Sequence, residues 1–208
     1  MAVLCLGAVS VQAATFNLNN IASGNWNDQN ARTANSYLIG FNAQHPHISA
    51  AYFEYNLDPA KGRNVTGANL LIVGSTDYHI STFWPGHAGS PPQHWFKVGT
   101  SPQAPGGHNF TVSQITTGNN IANLYHYCCT ENQNGDLGYA WVSDGLHAGQ
   151  RFDAFHYTNS RFQTAVNAGG NYVLWTRDRF DDSNDGQNYI WGSTAFHSGN
   201  QLQITTSN

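Results

Sequence analysis

The sequence predicts an all-β fold, a sandwich or a barrel, and three observations carry that expectation. From Thr15 onward, short runs rich in aromatic and β-branched residues recur between clusters of Gly, Pro, Asn, Asp and Ser, as where short strands are punctuated by turns. Inside the clearest of these runs apolar and polar residues alternate with a period of two, whereas helical periodicity is scarce. Of the 208 residues 40% are hydrophobic and 13% aromatic, enough apolar surface to offset the entropy lost on ordering.

Taken in order, the first segment stands apart from the strands. Met1 to Ala13 (MAVLCLGAVSVQA) is apolar and ends in Val11-Gln12-Ala13, with small residues where signal peptidases cut. At about 13 residues it falls well short of the ~20 that span a bilayer. Residues 1–13 therefore read as an export signal peptide lacking the usual basic start, and residues 14–208 as a single β-sandwich domain in a secreted, extracellular protein. Lipidation at Cys5 is disfavoured, because Leu4 is too bulky for the position before an acylated cysteine.

The candidate strands are Thr15 to Asn19, Asn35 to Phe41, Ile48 to Leu57, Ala68 to Gly74, Trp95 to Val98, Asn109 to Ile115, Tyr139 to Val142, Arg151 to Tyr157, Asn171 to Thr176, Gln187 to Trp191 and Gln201 to Thr205. The third shows why. Ala51, Phe53, Tyr55 and Leu57 share one face of an extended chain, while Tyr52, Glu54 and Asn56 share the other. Asp58-Pro59 and Gly62 then make a turn, and the strand after Val65 follows as a hairpin or an arch. Two short helices are expected, Asn119 to Tyr127 and Ser160 to Ala168, the second with Asn159 as N-cap and Gly169 as stop. The stretch 82–107 holds five of the seven prolines and reads as a long decorated loop within one domain, a linker between domains being the other reading.

Charge narrows the function classes. Only 10% of residues are charged, and the net charge is −4 with no basic run. Such a chain does not neutralise phosphates, so nucleic-acid binding and polybasic membrane docking are poor readings.

At this point the order of elements acquires a resemblance. Asn35 to Gly40 (NSYLIG), Ala51 to Leu57 (AYFEYNL) and Val65 to Ile72 (VTGANLLI) resemble the "YLxG", "FxxFDL" and "vtsAtL" elements of extracellular β-sandwich domains in bacterial PEP-CTERM surface proteins. Phe162 to Leu174 (FQTAVNAGGNYVL) resembles their short helix running into a "GGxFxxG" strand. Asn188 to Thr194 (NYIWGST) with Gln201 to Ile204 (QLQI) resembles their "NEFIFGxS…xxLxI" ending. DNRLRE-type jelly-roll domains share this plan. The resemblance implies an antiparallel β-sandwich of jelly-roll type with one or two short helices. It carries over no catalytic residue. The Val-Pro-Glu-Pro sorting signal has no counterpart before Asn208, so surface retention by that route is not expected.

Several constellations are candidates for chemistry. Asp181, Ser183 and Asp185 alternate before Gly186, as oxygen ligands do in the first half of a calcium loop, with Asp178 as a further ligand for a structural Ca²⁺. Gly192 stands where such a loop needs a bidentate Glu, so the competing reading is a solvated hairpin loop between the flanking strands. Cys128 and Cys129 are adjacent; in an oxidising compartment a strained vicinal disulfide, an intermolecular bridge and two buried thiols all stay open. His45 and His47 with Glu54 superficially match a cupin-like metal site, but Pro46 interrupts the ladder and the spacing is too long. Most other histidines fall beside turns.

No Gly-x-Ser-x-Gly elbow is present, and the two glutamates, Glu54 and Glu131, are sparse material for acid–base work. Trp26, Trp84, Trp95 and Tyr78 fall in or near loops among Asn, Gln, His and Asp, the mixture with which sugar-binding surfaces stack pyranose rings and bond hydroxyls. Packing in the sandwich interior is the competing reading. The sequence thus points to a non-catalytic extracellular binding or matrix module with a polysaccharide partner. The alternatives are a secreted jelly-roll carbohydrate-active enzyme, lyase or hydrolase, and a self-assembling coat or fibre subunit.

Overall fold

The computed structural model describes residues 13–27, 32–34, 37–42, 45–73, 78–80, 93–100, 136–143, 150–153, 159–178, 188–192 and 200–207. They form β-strands in two antiparallel sheets and one α-helix. The smaller sheet runs β1 (Ala14–Asn19), β13 (Gln201–Ser207), β6 (Asn64–Ile72), β10 (Gln150–Asp153). The larger runs β7 (Tyr78–Ile80), β12 (Asn188–Gly192), β4 (Tyr37–Asn42), β5 (His45–Asn56), β11 (Asn171–Asp178), β8 (Gln93–Thr100), β9 (Asp136–Ser143). Two further strands attach to it: β2 (Ala22–Asn27) pairs with β5 and with β3 (Arg32–Ala34).

One core lies between the sheets, in a sandwich-like arrangement. Leu18, Val65, Ala68, Leu70, Ile72, Leu202 and Ile204 enter it from the small sheet, and Ala51, Phe53, Tyr55, Tyr172 and Leu174 from β5 and β11 of the large one. The alternation read at β5 is thus realised. In β6 the alternation slips, since Val65 and Ala68 are both buried. The ladder to β13 shows the cause: Thr206 faces Val65 and Thr205 faces Gly67, which leaves Thr66 as a bulge that resets the pleat.

The helix α1 (Asn159–Ala168) closes one end of this core with Phe162 and Val166, one turn apart. Phe162 meets Tyr172 edge-on at 6.0 Å between ring centres. Asn159, expected just outside the helix, is its first residue. Gly169 and Gly170 end it with φ of 70° and 76°.

The turn after β5 is an arch, because β5 belongs to the large sheet and β6 to the small one. Its 3-10 turn, Asp58–Ala60, is bolted to the end of α1. Leu57 N–H donates to Gly170 O at 2.9 Å, Gly170 N–H to Asp58 Oδ1 at 2.8 Å, and Gly62 N–H to Val166 O at 3.3 Å. A second crossing joins β1 to β2 within two residues: Asn20 N–H donates to Asn200 O on the small-sheet side, and Ile21 N–H to Glu54 O on the large.

β8 extends the strand expected at Trp95 to Val98, so a strand crosses the middle of the 82–107 stretch. The strand expected at Asn109 to Ile115 and the helix expected at Asn119 to Tyr127 lie outside the described residues. One expectation is corrected. β11 and β12 do not form a hairpin, since β4 and β5 stand between them in the sheet; the segment from Asp181 to Gly186 therefore connects two separated strands.

Candidate functional site

Two faces of the molecule carry an organised set of side chains. The first is the outer face of the small sheet. Thr15, Asn17 and Asn19 of β1 are exposed because their neighbours Phe16 and Leu18 turn toward the core. Gln201 and Gln203 of β13 alternate in the same way with buried Leu202 and Ile204. The register sets Asn17 opposite Gln203 and Asn19 opposite Gln201. Both pairs are closed by side-chain hydrogen bonds, Gln203 Nε2 donating to Asn17 Oδ1 at 3.0 Å and Gln201 Nε2 to Asn19 Oδ1 at 2.9 Å.

The first row continues from Gln203 to half-buried Asn69 and to position 153, where the chain has Asp; the second runs from Gln201 to Leu71 and to position 151, an Arg. At the end of the sheet Asn64 Nδ2 donates to Ser207 Oγ at 2.7 Å, and Thr66 Oγ1 donates to Thr205 O at 3.2 Å. The outer surface of β1, β13 and β6 is therefore uncharged and made mostly of amides and hydroxyls, with half-buried Leu71 among them. Asn17 and Asn19 use only their oxygens in these bonds, leaving their amide N–H groups to solvent.

The second face is the side of the large sheet turned away from the core. Tyr52 and Trp175 lie directly opposite each other, with Gly24 beyond Tyr52 and Gly99 beyond Trp175 in the same row. Beside them Glu54 faces Val173. These side chains are withdrawn from solvent: Tyr52 is 0%, Trp175 1%, Val173 1% and Glu54 4% exposed. Asn171 Nδ2 donates to Glu54 Oε1 at 2.9 Å, tying the carboxylate to the next strand. Along β5 and β11 the large sheet is thus buried on both faces, with the Glu54 carboxylate beside Tyr52 and Trp175.

The predicted aromatic residues distribute unevenly over this frame. Position 26 faces Ala50, and position 95 faces position 141, both Trp. Tyr78 lies on β7, the terminal strand of the large sheet's path, opposite Ile190. Trp84 lies outside the described residues.

For the metal candidates, Asp178 ends β11 opposite Phe96, while Asp181, Ser183 and Asp185 lie outside the described residues. Among the described residues no group of three or more His, Cys, Asp or Glu gathers as metal ligands. His45, His47 and Glu54 all fall on β5, but Asn42 faces His45 and Phe41 faces Ile48, so Pro46 and His47 sit in a break of the ladder to β4. Cys128 and Cys129 lie outside the described residues. Also among the described residues, no helix is long and apolar enough to cross a membrane.

Sequence reasoning missed the amide rows. The signal was present, since Asn17 and Asn19, like Gln201 and Gln203, repeat at i and i+2 within expected strands; their pairing required knowing that the first and last strands are neighbours. No protein-family model matches the chain, and no curated protein matches it either.

Proposed function

We propose that the chain is a secreted, extracellular, non-catalytic binding or matrix module of jelly-roll type whose ligand is a polysaccharide. The observation that carries this reading is the amide array of the small sheet. Asn17, Asn19, Gln201 and Gln203 are held in place by one another, so bonding sugar hydroxyls costs them little further side-chain entropy. The absence of charge from β1, β13 and β6 suits a neutral glycan. Trp84 and Trp95, with Trp26 and Tyr78, are the candidate stacking residues. The resemblance to PEP-CTERM and DNRLRE-type extracellular domains, together with the apolar leader, favours export.

A glycan array tests the reading. Binding to a neutral polysaccharide is expected, with a loss of about tenfold in affinity in the double variant Asn17→Ala/Gln203→Ala, which removes hydrogen bonds worth ~1 kcal/mol each. Binding abolished by Trp84→Ala and Trp95→Ala but untouched by the amide variant would move the ligand from the amide array to these tryptophans. No binding to any glycan, with or without Ca²⁺, overturns the function.

A structural Ca²⁺ held by Asp181, Ser183, Asp185 and Asp178 belongs to the same reading, on the alternation of oxygen ligands before Gly186. Chelation is expected to lower the melting temperature, and Asp185→Asn to lower it similarly; an unchanged melt removes the ion.

A further inference from the structure

Among the described residues the small sheet ends on β10 and β1, and these two edges are built differently. β10 is four residues long and carries Arg151 and Asp153, the short and charged kind of edge that resists pairing with another sheet. β1, at the opposite edge, is six residues (ATFNLN) with no charge, Pro or Gly. Its register with β13 is unbroken from Ala14 to Asn19, so no bulge turns the strand away. Among the described residues β13 is its one strand partner. In an antiparallel strand half of the backbone N–H and C=O groups point away from that partner.

We propose that β1 pairs with the β1 of a second copy of this chain, antiparallel about a two-fold axis at Asn17, which joins two small sheets into one continuous sheet. The occupant is a second copy because the strand is complementary to itself. Directly opposite residues share a face, so an axis at Asn17 sets Phe16 against Leu18 of the second copy, Thr15 against Asn19, and Asn17 against its own equivalent. The apolar pair falls on the core side, where Phe16 is only partly buried in the single chain and gains cover. On the outer side the row Asn69, Gln203, Asn17 continues through the junction into the same row of the second copy. With no charge on β1 or β13, nothing repels across the axis.

Six residues of strand bury less than the ~1,200 Å² at the low end of standard interfaces, so the dimer is weak and concentration-dependent. Self-pairing stands apart from polysaccharide binding: a monomer that binds glycan and a dimer that does not are separately readable. Sedimentation velocity of the full chain over a concentration series tests it. The chain is expected to dimerise, and Asn17→Lys and Asn17→Asp each to weaken dimerisation about tenfold or more, because each sets like charges face to face at the axis. An equimolar mixture of the two variants is expected to recover the dimer through the opposite-charge pair. Thr66→Lys, on the exposed side of β6, should leave it intact, and circular dichroism melts establish that each variant folds. A monomer at every concentration, a dimer indifferent to both charges at position 17, or no recovery on mixing overturns the proposal.

Discussion

Gly169 shows how a single hydrogen atom in place of a side chain decides the geometry of one end of the core. A Cβ there would stand 2.6 Å from Asp58 Oδ1 and 2.8 Å from Lys61 Cδ, on a backbone already at φ of 70°. Asp58 cannot swing aside without losing the N–H of Gly170. Gly169→Ala is expected to cost about 2–3 kcal/mol, from left-handed strain and the lost hydrogen bond together. Gly170→Ala, with nothing within 4 Å of its added Cβ, is expected to cost ~1 kcal/mol from the left-handed backbone alone. Urea midpoints for the two variants check the order. Gln163 is a second such residue: Val65 N–H donates to its Oε1 at 2.8 Å, and its Nε2 donates to Arg63 O at 2.7 Å, so the amide stands in for a strand neighbour at the start of β6. Gln163→Ala is expected to destabilise by about 1–3 kcal/mol, and Gln163→Glu not to rescue, because a carboxylate turns an acceptor toward Arg63 O. Thermal melts of both variants read this directly. Gly169 was legible as a helix stop; Gln163 was not, because its partners lie about a hundred residues away.

At the scale of elements, local alternation was enough to mark β1, β5 and β13, while β11 was marked by its apolar run from Tyr172 to Trp175. Asn159 and Gly169, read as cap and stop, marked α1. β2 and β3 were not legible. Ala22–Asn27 reads ASGNWN, a turn-like composition, and becomes a strand because β5 offers it a backbone ladder from Glu54 to Ser49. The bulge at Thr66 is similar, since it is a property of the β6–β13 pairing and not of either strand. It yields a sharp comparison. Leu70 is fully buried and Leu71 half-buried on the outer face; Leu70→Ala is expected to cost about 2–5 kcal/mol and Leu71→Ala at most about 1 kcal/mol. Equal losses in denaturant titrations would show that the alternation is not reset at Thr66.

For the whole molecule, β5 and β11 in the middle of the large sheet are buried on both faces while β1, β13 and β6 of the small sheet leave an outer face open, so the open amide face and the closed aromatic face invite different chemistry. Glu54 belongs to the closed face, where its carboxylate accepts from Asn171 and braces β5 against β11. Glu54→Gln preserves an acceptor for that amide, and is expected to shift stability by about 1 kcal/mol and to leave glycan binding unchanged. Turnover of a polysaccharide that vanishes in Glu54→Gln would instead place the chain among the carbohydrate-active enzymes. That Tyr52 and Trp175 stand opposite each other follows from the register of β5 with β11, two strands distant in sequence.

The sequence by itself determined that the chain is β-rich and low in charge, where most strands lie and which face of β5 is apolar, because period-two alternation and turn residues act over a few neighbours. Only the tertiary structure decided that the turn after β5 is an arch, that β11 and β12 are not a hairpin, and that the first and last strands meet to align Asn17 with Gln203 and Asn19 with Gln201. The physical reason is that strand pairing is made by backbone groups common to every residue. Which strands meet is therefore settled by the packing of the whole core and not by any segment alone.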